Sequence, residues 1–265
     1  KAFAQIRETG FPTVKDEEWR FTNISPLLKT AFEPAPEAAK EKVTRESLAP
    51  FLLDHVTPHQ AVFINGSFCP SLSRTDHLPS TVIVSSLAHE MEQSHRILSL
   101  LAKKTDGKSN PFAALNTAFF QVGIFVHIAA DVVLEEPIHI VFVALTGGHA
   151  MAVHPRNLVV VEPNAQVVVI ESYAGLGDQP YFTNPVMDIS LGENATMEHY
   201  KIQRETQKAF HISVNHVHQH RYSRYTSGSF SFGGTLVRND ITTLLDGEGA
   251  ESVLNGLYIA SQNQH

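Results

Sequence analysis

Glu162-Pro163-Asn164-Ala165, Gly192-Glu193-Asn194-Ala195 and Gly247-Glu248-Gly249-Ala250 are three writings of one short phrase. Each follows an apolar, β-branched run and precedes another, which marks a tight turn between two strands. The first two anchor alanines are 30 residues apart and the last two 55, close to two shorter steps. His220-Arg221-Tyr222-Ser223 fits the missing step as a degenerate copy. A period in this range is the signature of stacked repeats, in which no unit buries its apolar side alone. The segment from Arg156 to His265 therefore reads as a β-solenoid. Strand alternation sets its phase. Ala165, Val167 and Val169, with Ala195, Met197 and His199, and with Ala250, Ser252 and Leu254, are expected to point inward. His199 is then expected to be a hydrogen-bonded core histidine.

Working outward, strand candidates begin at Val122–His127 and continue through Val132–Leu134, Ile138–Ala144, Leu158–Val161, Val167–Ile170, Val186–Leu191 and Thr196–Ile202. Before them the pattern is mixed. Residues 1–10 suit a helix closed by Gly10, and Trp19 and Phe21 suit the burial of an N-terminal arm. Residues 33–42 suit a linker, and Ser47–Leu53 a short helix. Ala61–Gly66 reads as a strand ending in an Asn-Gly turn, and Thr81–Val84 as a second strand. A helix capped by Ser86 is expected to run to about Lys104, and another to start at Pro111. The division expected is 1–120 for an N-terminal α/β region and 121–265 for the solenoid core.

The bulk numbers exclude several classes. Apolar residues make up 43% and charged residues 18%, so the chain folds. A net charge of −7 with no basic cluster argues against nucleic-acid binding. No apolar run reaches the 18 residues of a membrane span. The single cysteine, Cys69, excludes a disulfide framework or a Cys-only metal cage within this chain and suits a reducing, cytoplasmic compartment. There is no Gly-x-Ser-x-Gly, P-loop or His-Glu-x-x-His signature.

Among 15 histidines, the sharpest group is His216, His218 and His220, which share one face if their segment is a strand. Imidazoles at that spacing can share a metal ion. However, Gln219–Tyr225 supplies no carboxylate to complete such a site. The repeat places His216 and His218 level with Asp188 and Ser190, on an outward face. The ordinary expectation is a polar solvent face; the sharper ones are a metal site or a partner-contact patch.

Four segments resemble the SufB/SufD family of iron–sulfur cluster assembly proteins, and its SufD branch more closely. They are Pro12-Thr13 with Lys15, Glu17 and Trp19-Arg20-Phe21-Thr22; Phe63-Ile64-Asn65-Gly66 with Phe68; Asn110–Phe119; and Arg238-Asn239-Asp240 with Leu245–Ala250, Leu254–Tyr258 and Gln264-His265. The resemblance implies a mainly β chain, with a right-handed parallel β-helix core behind a small N-terminal region. It implies a non-enzymatic scaffold subunit that pairs with a SufB-like partner and works with a SufC-like ATPase. No cofactor would be held stably by this chain, and an iron–sulfur cluster would be present transiently at the level of the complex. Family members continue with more rungs and a helical C-terminal region that binds the ATPase. The core is thus expected to be incomplete at its C-terminal end, and the isolated chain to self-associate as a homodimer. Two alternatives stand beside this: a histidine-based metal-binding β-solenoid, and a carbohydrate-active β-helix enzyme. Against the enzyme, no acidic or basic ladder crosses the copies.

Overall fold

The computed structural model describes residues 2–36, 42–94, 97, 100–101, 110–120, 123–261 and 264. It is mainly β, with a parallel β-solenoid of about four turns behind a small N-terminal α/β region. Two sheets face each other. In the first, Phe125, Leu158, Asp188, His216 and Thr242 stack in parallel register, one from each successive rung. In the second, Ile138, Val169, His199, Ser227 and Leu254 do the same. The strand His59–Ile64 of the N-terminal region joins this second sheet, in parallel with Ile138–Leu145.

The turn phrase is what joins the sheets. Asn164, Asn194, Tyr222 and Gly249 all adopt the left-handed conformation, with φ of 59°, 59°, 56° and 69°. Their backbones hydrogen-bond rung to rung, from Asn164 N to Glu193 O (2.9 Å), Asn194 N to Arg221 O (3.1 Å) and Tyr222 N to Glu248 O (2.8 Å). The degenerate copy at Tyr222 is therefore a true member. So is a fifth turn at Asp131, φ 63°, whose N–H donates to Pro163 O at 3.0 Å. Side chains extend this column, with Asn194 Nδ2 donating to Asn164 Oδ1 (3.1 Å) and Asn164 Nδ2 to Asp131 Oδ1 (2.8 Å). Asparagine suits these positions because it tolerates a backbone that costs other L-residues about 1–2 kcal/mol.

The expected phase holds in the closed rungs. Ala165, Val167, Val169, Ala195, Met197 and His199 are all buried, and apolar residues of the two inner faces form one core with Val159, Met187, Ile189 and Val217. At the last rung Leu254 is exposed, because no described strand lies beyond Leu236–Leu245 and Glu251–Tyr258. Strands also run where none was expected: Met151–Val153, Tyr181–Thr183, Arg224–Ser231 and Leu236–Leu245. Conversely, Val132–Leu134 makes only an isolated bridge at Val133.

The helix Ala2–Thr9 ends at Gly10 (φ 68°), and Asn65-Gly66 turns an antiparallel hairpin into Ser67–Phe68. The expected helix at Ser47–Leu53 is instead Arg45–Leu48, started by a Thr44–Ser47 capping box. Ser86 precedes the helix Leu87–Gln93, and most of the expected continuation to Lys104 lies outside the described residues, as do part of the 33–42 linker and His265. Trp19 is buried as expected, but Phe21 is 79% exposed, because the arm turns outward after Trp19 docks.

Replacing Asn194 by alanine should lower stability to urea by about 1–2 kcal/mol, with Asn194→Gly losing less. Equal losses would assign the effect to the side-chain bond instead of the backbone.

Candidate functional site

Three features carry the chemistry: a clasp outside the first sheet, a polar interior, and a histidine face. In the clasp, Arg238 joins segments far apart in sequence. Its guanidinium lies 3.9 Å from the Trp19 ring centroid, and its Nη1 donates to Glu18 O (2.9 Å) and Thr22 Oγ1 (3.1 Å). Its Nε meets Asp240 at 2.9 Å, and Asp240 accepts from the Asn110 amide. Asn110 Oδ1 in turn caps Phe112 N (2.9 Å) at the start of the helix Pro111–Phe119. Phe112 and Trp19 pack against Phe182, Phe210, Ile212 and Leu236. Three of the four sequence segments singled out above therefore meet at one place. The fourth, Phe63 with Phe68, packs on Phe142 in the second sheet.

Inside the solenoid, the apolar half of each rung gives way to charge. Glu171 and Lys201 are in register on neighbouring strands and both are buried. Lys201 Nζ donates to Ser213 Oγ (2.6 Å) and Asn239 Oδ1 (2.7 Å) and lies 5.2 Å from the Tyr173 ring centroid. Tyr173 donates to Glu171 Oε2 (2.9 Å), and His199 Nε2 lies 3.3 Å from Glu171 Oε1. The other His199 nitrogen pairs with the Tyr225 hydroxyl at 2.9 Å, as a core histidine should. Glu205 accepts from Thr183 (2.8 Å) and Gln203 (3.0 Å) and pairs with His211 Nδ1 (2.7 Å).

Burial alone would raise Glu171, but the His199 contact, the Lys201 charge and the Tyr173 hydroxyl hold it down at about 2. Burial pulls Lys201 down to about 8 against the attraction of both carboxylates. Burial and the Lys201 charge likewise keep His211 low, so it stays neutral beside ionised Glu205. A cavity of about 10 Å³ beside Tyr173, Thr183 and Glu205 has room for at most one water. The interior is thus a buried ionic network in which the Nε2 atoms of His199 and His211 and the Gln203 Oε1 are left without a hydrogen bond.

On the outer face, His216 and His218 lie on the strand Ala209–Gln219, which is paired on both sides, and His220 lies just past its end; the structure separates their roles. His216 Nδ1 lies 3.1 Å from Asp188, which also accepts from Arg156 Nε at 2.9 Å. Arg156 reaches Thr117 on the overlying helix (3.0 Å). Asp188, expected to face outward, is fully buried, while His216 and His218 are both partly buried and His220 is exposed. The carboxylate missing from the local sequence arrives from the next rung. Asp246 Oδ2 lies 2.8 Å from His218 Nε2, and donor atoms of His218, His220 and Asp246 all fall within 4.8 Å of one another. Cys69 lies elsewhere, buried among Val43, Leu48, Leu52, Ile64 and Val141.

Comparison with known proteins bears directly on this architecture. Residues 1–140 match the SufBD protein N-terminal region, and residues 143–265 match the SufBD core domain of the SUF iron–sulfur cluster assembly system. The chain belongs to the SufB/SufD family. It is 36% identical to an iron–sulfur cluster assembly SufBD family protein of Synechocystis, over 96% of this chain and 57% of that protein. It is 24% identical to the iron–sulfur cluster assembly protein SufD of Escherichia coli, over 98% and 58%. Against the chloroplastic protein ABCI7 of Arabidopsis thaliana it is 26% identical over 89% and 50%. The chain thus spans 50–58% of the length of these relatives. No helix among its described residues is long and apolar enough to cross a membrane.

The Glu171 network sets an acid limit on stability. Its folded pKa of about 2 is below the ordinary 4.5, so its contribution is complete above pH 4.5 and is lost as pH falls towards 2. Glu171→Gln should remove about one proton of pH dependence in that window, measured as urea unfolding against pH. It should also cost about 3–5 kcal/mol at neutral pH by leaving Lys201 less compensated.

Proposed function

We propose that this chain is a SufD-like, non-catalytic scaffold subunit of an iron–sulfur cluster assembly complex. It pairs through its solenoid with a SufB-like subunit and works with a SufC-like ATPase. The observation that carries this is the pair of consecutive SufBD family matches, which together span nearly the whole chain. The physical chemistry agrees. Iron–sulfur clusters take several thiolate ligands, while this chain offers one cysteine, buried in an aliphatic pocket. Any cluster would therefore need groups from outside this chain, and in this reading it is held at the complex only transiently. Self-association as a homodimer in the absence of a partner belongs to the same proposal, as does a cytoplasmic setting.

Co-expression of the full-length protein with its SufB-like and SufC-like counterparts should yield a complex that survives size-exclusion chromatography. A full-length protein that elutes apart from both would overturn the assignment.

A further inference from the structure

The His218, His220 and Asp246 group is not used by the scaffold role. Its three donors come from two adjacent rungs: His218 lies on the strand Ala209–Gln219 and His220 just past its end, and Asp246 follows the paired strand Leu236–Leu245, with its N–H donating to Gln219 O at 2.8 Å. The register of the solenoid therefore fixes all three on one side. Two imidazoles and one carboxylate on a single face make the donor set that suits a divalent first-row metal and leaves further coordination positions open. The spread of up to 4.8 Å between donors is closed by small side-chain rotations to the metal–nitrogen distance of about 2.0–2.1 Å.

The surroundings favour a cation. Beside His220 and Asp246 lies an open cleft of about 600 Å³, whose lining includes Glu162, Glu193 and Glu248 with Arg221. Arg221 Nε is engaged by Glu193 at 3.2 Å. Four carboxylates against one guanidinium leave the cleft negative, which raises the local concentration of cations. His216 stands apart, paired with Asp188, which Arg156 also engages.

We propose that His218, His220 and Asp246 bind one divalent transition-metal ion on the outer face of the solenoid. The proposal does not rest on the scaffold assignment. The ion would replace the His218 Nε2–Asp246 contact, and water would fill the open positions.

The test is a Co²⁺ titration of the full-length protein, without a polyhistidine tag, followed by visible absorption and calorimetry. One equivalent should bind, and His218→Ala, His220→Ala and Asp246→Asn should each weaken binding by about tenfold or more, since even outer-shell partners of ligands are worth 10–100-fold. His216→Gln should leave affinity unchanged. The three site residues are partly or fully exposed, so the variants should keep the wild-type melting temperature. Absence of stoichiometric binding would overturn the proposal. So would binding that persists in all three variants, or a His216→Gln loss equal to that of His218→Ala.

Discussion

Every inward and outward assignment in this protein depends on one backbone constraint, the column of left-handed residues at Asp131, Asn164, Asn194, Tyr222 and Gly249. A strand alternates its side chains with a period of two, so a slip of one residue at any turn would exchange the faces of the next rung. The hydrogen bonds from each turn to the turn above prevent that slip. Held in phase, Val169 stacks on His199, and Glu171 meets Lys201 instead of solvent.

The turn column was legible in the sequence because left-handed backbone demands asparagine or glycine at most positions. Asp131 carries no such signal, because Ala130-Asp131 lacks the Pro or Gly that marks three of the other turns. The strand Arg224–Ser231 was also hidden: its Ser-Gly-Ser stretch lacks β-branched residues, and it forms because it is paired on both sides. The interior network needed only a longer count. The phase that puts Ala165 and Val169 inside also puts Glu171 inside, and the equivalent count from Ala195 reaches Lys201. The carboxylate of the histidine face was beyond any local reading. Asp246 is distant from His218 in sequence and reaches it only through the register of two paired strands.

The clasp explains why segments scattered from Trp19 to Asp240 belong together. A guanidinium that stacks on one indole and bonds a backbone carbonyl and a hydroxyl fixes the N-terminal arm against the strand Leu236–Leu245. The same strand carries Asn239 inward to the Lys201 ammonium. Arm, helix and interior network are therefore joined by an unbroken chain of contacts.

Cluster assembly in living cells tests the central claim most directly. In cells that lack the gene for the full-length protein, iron–sulfur enzymes should keep their polypeptide levels but lose cluster occupancy, and the wild-type gene should restore it. Unchanged cluster occupancy in those cells under iron limitation would contradict the account.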